Sequence, residues 1–155
     1  MMDRREFAGL VPALLALSMT QSAAAEAGQV AIGTATGAAL TPLESGVWKA
    51  GTEHVAGPQR MSRPYLKGLL KVGNIQLEMH TTTQEVGAPH EPVGTHKHSE
   101  IWLVRSGIVE LTTNGVARRM EPGDVGICAA GDEHFVKNLG TVPCTYFVVT
   151  VGAPE

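Results

Sequence analysis

Between Ile101 and Val151 turn-forming residues cut the chain into short apolar runs at regular intervals, which leaves little room for anything but strands. Ile101-Trp102-Leu103-Val104 ends near Gly107, and Ile108 to Thr113 ends at Asn114-Gly115, a strong two-residue hairpin signal because both turn positions need positive φ. Pro122-Gly123-Asp124 marks a second turn, Val125 to Cys128 a strand, and Gly131-Asp132-Glu133 a third turn. His134 to Asn138 and Thr145 to Val151 follow as strands. The 18 glycines and 9 prolines among 155 residues show no three-residue period, and no stretch keeps heptad spacing, so collagen and coiled coil are excluded. Strands this short with no helical period between them predict an all-β sandwich or barrel.

Upstream the signals are of another kind. Met1 to Ala25 reads as a signal peptide, with a basic start at Arg4-Arg5, an apolar run from Ala8 to Met19, and Ala23-Ala24-Ala25 as the cleavage site. Asp3-Arg4-Arg5-Glu6-Phe7 also resembles a twin-arginine export signal, which carries proteins already folded. The expected location is therefore periplasmic or secreted, with any metal loaded before export. The apolar run is well short of the roughly 20 residues that span a bilayer, so no membrane attachment is expected after cleavage.

Residues 26–42, rich in Ala, Gly and Thr, read as a flexible lead-in, and 43–155 as a single domain. Within that domain Val47-Trp48-Lys49 suggests a short strand, with Trp48 plugging a core edge, and Gly57-Pro58 suggests a turn. From Tyr65 to Thr83 alternation puts Ile75, Leu77 and Met79 on one face and Gln76, Glu78 and His80 on the other. That reading makes His80 a solvent-side residue.

Twelve Lys and Arg against fifteen Asp and Glu give a net charge of -3, which cleavage after Ala25 leaves unchanged, so a nucleic-acid partner is not expected. A 43% hydrophobic composition supplies a core without staples. Cys128 and Cys144 lie in apolar strand-like stretches, where a buried free thiol fits at least as well as a disulfide, and their spacing is no zinc motif.

Chemistry concentrates at His96-Lys97-His98-Ser99-Glu100. On an extended strand residues two apart share a face, so His96, His98 and Glu100 can converge. Imidazole nitrogen with carboxylate oxygen suits a divalent transition metal (Fe, Mn, Zn, Ni or Cu) rather than calcium.

The run from Gly94 through His96, His98 and Glu100 to Gly107 resembles the first motif of the cupin superfamily, and Gly123-Asp124 through Gly131 and His134 to Asn138 resembles the second, with Ala129 where Pro is usual. The resemblance covers roughly Tyr65 to Val151. It implies a double-stranded β-helix, or jelly-roll, barrel holding a metal by three His and one Glu. His96 then matches the second His, Glu100 the Glu, and His134 the His of the second motif. The first His falls on Gly94, which leaves His98 or His90 to complete the set, or a three-ligand site with water. Strand parity favours His98; against it, the family's residue at that place points away, and His90 can fold back across Gly94. Asn138 matches a structural position.

An enzyme of this kind would carry out oxygenation, isomerisation or hydrolysis on a small organic molecule, with Trp102 and Tyr146 shaping the pocket. The rival expectation is a periplasmic module that binds a small ligand or metal without turnover. A barrel with a vestigial site is the third. No acid–base pair is evident beyond the metal cluster, Arg118 and Arg119 read as a solvated strand face, and His54 receives no role. Exposed sheet edges suggest a homodimer.

Overall fold

The computed structural model describes residues 39–155, which form nine strands and no helix. Among these residues no helix is long and apolar enough to cross a membrane. The export signal read at Met1–Ala25, and the lead-in before Ala39, lie outside the described residues.

The strands are β1 (His54–Gly57), β2 (Arg60–Leu69), β3 (Gln76–Gln84), β4 (His98–Ser106), β5 (Val109–Thr113), β6 (Val116–Met120), β7 (Val125–Cys128), β8 (His134–Asn138) and β9 (Cys144–Gly152). They make a six-stranded sheet in the order β1-β2-β3-β9-β4-β7 and a three-stranded sheet in the order β6-β5-β8, the two-sheet arrangement of a jelly roll. Every strand pair is antiparallel. Both sheets contribute to one core: Trp102, Val104, Tyr146 and Val148 from the large sheet meet Val109, Leu111 and Val136 from the small one.

The turn chemistry explains the second half. Asn114 and Gly115 hold φ of 47° and 76°, the hairpin conformation expected of that pair, and Asn114 Oδ1 accepts from the Glu133 amide at 3.0 Å, fastening the hairpin to the loop before β8. Asn138 donates through Nδ2 to the carbonyls of Gln84 and Val142, satisfying backbone groups at the end of β8. Cys128 and Cys144 are both buried free thiols, and burial pushes Cys144 up to about 11.

The first half differs from expectation in three places. Val47–Lys49 is not a strand; pairing starts instead at Pro42, bridged to Leu69, and then at β1. The turn near Gly57 consists of Pro58 and Gln59, with Gln59 at φ 54°. The parity of β3 is also the reverse of a solvated strand's. Gln76, Thr82 and Gln84 are buried and His80 lines a cavity, so the polar set faces inward while Leu77 and Met79 are half-buried on the outer face. Hydrophobic alternation locates a core face only where the interior is dry, and the interior of this barrel is polar at one end.

Candidate metal centre

Three stretches of backbone bring the imidazoles and the carboxylate together. β4 alternates, and its inward-facing series is His98, Glu100, Trp102 and Val104. β8 starts at His134, whose backbone exchanges hydrogen bonds with Gly94 at 2.8 and 2.9 Å, so the segment before β4 runs as an antiparallel neighbour of β8. His96 lies in that segment, held by a bond from the Gly131 amide to its carbonyl at 2.8 Å. It is not a residue of β4, and the shared strand face expected for His96, His98 and Glu100 holds only for the last two.

His134 Nε2 stands 3.0 Å from Glu100 Oε2, and His96 Nε2 3.9 Å from Glu100 Oε1. One ligand atom from each of His96, Glu100 and His134 lies within 4.8 Å of the others. A metal about 2.1 Å from each nitrogen or oxygen needs ligand separations of about 3 to 4 Å, so this donor set fits a transition metal. His98 stacks on His96 with ring centroids 4.8 Å apart, and its Nε2 is 3.3 Å from Glu100 Oε1. It belongs to a second potential ligand group, with His96 and Glu155. His90 is elsewhere: its ring packs against Phe135 at 4.5 Å and its Nδ1 faces the Glu91 carbonyl.

Gly94, where the resemblance places a fourth ligand, carries no donor, and a side chain there would have to push the His96 and His134 rings aside. A Cβ there would lie 2.9 Å from His96 Nε2 and 3.2 Å from His134 Cε1.

The cluster is electrostatically coupled. Burial alone would lower the His134 pKa, but the hydrogen bond and charge of Glu100 outweigh it and hold the imidazole above its ordinary value. For Glu100 burial raises the carboxyl, and His134 and then His96 outweigh it in the opposite direction. His80, in the cavity wall, is lowered, chiefly by burial, against the raising effect of Glu78 and Glu100.

A cavity of about 240 Å³ opens beside the cluster, walled by Trp102, which is 1% exposed with its ring 5.1 Å from His134, and by His80, Thr82, Ser62, Arg60 and Glu91. A larger hollow of about 500 Å³ between β6 and β7 is lined by Arg118, Arg119 and Asp124 but by no imidazole, so the candidate site is the smaller one.

Next to the cavity lies a hydrogen-bonded pair that no sequence motif marked. Tyr146 donates to Glu91 Oε1 at 2.8 Å, and Gln84 Nε2 donates to the Tyr146 oxygen at 2.8 Å. Burial raises the Glu91 carboxyl and lifts the Tyr146 hydroxyl well above its usual value. Glu91, Arg60 and Glu155 had no sequence signal: none stands in a motif, and only long-range pairing brings them to the cluster.

Residues 80–150 match the Cupin_2 family, described as a cupin domain. No curated protein matches the chain. Among solved structures it is similar to KdgF from a Halomonas species, at 16% identity and a TM-score of 0.57 over 69% of this chain and 94% of that one. It is similar also to an RmlC-like cupin from Shewanella frigidimarina, at 17% identity and a TM-score of 0.53 over 70% and 86%. For the Cnp3 cupin domain of Schizosaccharomyces pombe the identity is 17% and the TM-score 0.49, and the chain spans 65% of that domain's length. At these identities the likeness to KdgF and to the RmlC-like cupin is one of fold.

Proposed function

From the premise that residues 80–150 match the cupin-domain family within an all-β jelly-roll fold, we propose that this chain is an exported protein holding a divalent transition metal through His96, Glu100 and His134 and acting on a small organic molecule. The observation that carries the reading is the convergence of those three side chains from two sheets and a loop onto one point at the edge of a cavity. A bound metal supplies a Lewis-acid position for water, dioxygen or a substrate oxygen. The protein's share is positional. Trp102 walls the cavity and keeps water off one side, Glu100 holds His134 by its 3.0 Å contact, and Glu91 with Tyr146 offers a proton-bearing pair away from the ligands.

Metal analysis of protein purified under mild conditions, beside His134→Ala and Glu100→Ala, tests the reading: one equivalent in the parent and a loss in both variants are expected. Full metal in both variants would refute it. The three-ligand set around Gly94 favours a second reading, a module that binds without turnover, and oxygen uptake or product formation with a panel of small substrates separates the two. Export predicts an intact mass that begins at Glu26. Pairing of two copies is part of the same proposal, because β7 ends the large sheet with Val125 and Ile127 exposed, and a sedimentation mass of one subunit would overturn it.

A further inference from the structure

Outside the span matched by the cupin family, β2 carries a cation into the wall of the cavity. Arg60 is 7% exposed, and its Nη1 is buried without a hydrogen-bond partner among the described residues. The nearest carboxylate oxygen, Glu91 Oε1, is 3.6 Å away, beyond hydrogen-bonding reach, and already accepts from Tyr146 at 2.8 Å. Burial raises the Glu91 carboxyl, so Glu91 is an incomplete counter-ion. A guanidinium cannot shed its charge, and a buried charge with donors unmet is costly unless something arrives to meet them.

The position is built to hold that cation. A Cβ at Gly57 would lie 2.3 Å from Arg60 Nη2, so the glycine leaves space for the guanidinium. Arg60 pairs across the sheet with Gln84, and the adjacent inward rung, Ser62 with Thr82, lines the same cavity with two hydroxyls. Arg60 is the one Lys or Arg among the residues lining the cavity. A single planar fork suits a carboxylate, which it can grip with two parallel bonds, better than a phosphate dianion that calls for several cations.

We propose that Arg60, flanked by Ser62 and Thr82, is an anion-binding subsite and that the ligand of this cavity is a small organic carboxylate, held by its acid group on β2 while the rest of the molecule reaches the His96–Glu100–His134 cluster. The second half of that statement rests on the metal reading above; anion binding at Arg60 does not.

The test is a titration of metal-free full chain with propanoate and with propanamide, followed by NMR. The acid should bind about tenfold more tightly than the amide in the parent chain, the worth of one charge-assisted contact. Arg60→Met should abolish the preference. Because that change leaves Glu91 buried without its cation, Arg60→Met/Glu91→Gln serves as the folded control and should behave likewise. Equal binding of acid and amide by the parent, or parent-like binding of propanoate by the double variant, overturns the proposal. His134→Ala should keep the preference for the acid. A chain that prefers propanoate but takes up no metal refutes the metal reading alone, and one that takes up metal without the preference refutes the anion subsite alone.

Discussion

Gly94 shows how much one missing side chain determines. It carries no donor, yet its bare Cα lets the His96 and His134 rings approach from either side, and a methyl group there would sit inside the contact distance of both. Gly94→Ala should therefore fold and weaken metal binding by about 10- to 100-fold through displaced imidazoles, as loss of a ligand-orienting contact does. Competition against a chromophoric chelator reads that change, and parent-like affinity would show the two rings to be free to move. Glu91 makes a second prediction. Its carboxyl is raised in the folded state, so folded protein keeps a proton that the unfolded chain has given up. Its contribution to stability is complete below the ordinary glutamate pKa and is lost as pH rises through the raised folded value. Glu91→Gln should flatten that decline, visible as a smaller fall in urea midpoint across the mildly acidic range. His96, Glu100 and His134 were legible because each stands in a spaced motif. Arg60 and Glu91 were not, because a cation or a carboxylate alone on a strand or loop looks like any solvated charge.

The elements divide the same way. β5, β7 and β8 lie where turn chemistry places them, because Asn114-Gly115, Pro122-Gly123 and Gly131 need positive φ or a fixed bend whatever surrounds them. β2 and β3 were harder to read. Their inward rungs are Arg60, Ser62, His80, Thr82 and Gln84, and Pro64 sits in β2 beside a register shift that lets a strand tolerate the missing amide donor. Gly107 joins the legible class for a further reason. It holds φ at 75° between β4 and β5, and a Cβ there would meet Cys144 Cα at 2.6 Å at the start of β9. Gly107→Ala thus combines left-handed strain with a backbone collision, and about 3 to 5 kcal/mol of destabilisation is expected. Gly115→Ala, at φ 76° but with open space around its Cβ, should cost only about 1 to 2 kcal/mol. Paired denaturation curves check the difference, and equal losses would mean that β9 yields at that point.

For the whole molecule the proposed ligand set matters because of where its members stand. Glu100 belongs to the six-stranded sheet, His134 to the three-stranded one, and His96 to the segment bridged to β8. An ion held by all three would tie the sheets together at a point where the interior is a cavity rather than packed side chains. Binding to the folded chain alone adds RT ln(1 + [M]/Kd), about 2.7 kcal/mol at a hundredfold excess over Kd, which raises Tm by roughly 10 °C for a domain near this size. Hydrogen exchange should slow in β4 and β8 together, since opening either strand releases the ion. The shift should vanish in His134→Ala and survive in His98→Ala, because His98 groups with His96 and Glu155 rather than with His134. The reverse pattern, with the shift kept in His134→Ala and lost in His98→Ala, would move the ion to the His96–His98–Glu155 group, where Glu155 follows β9 and no ligand comes from the small sheet, so that β8 would gain no protection.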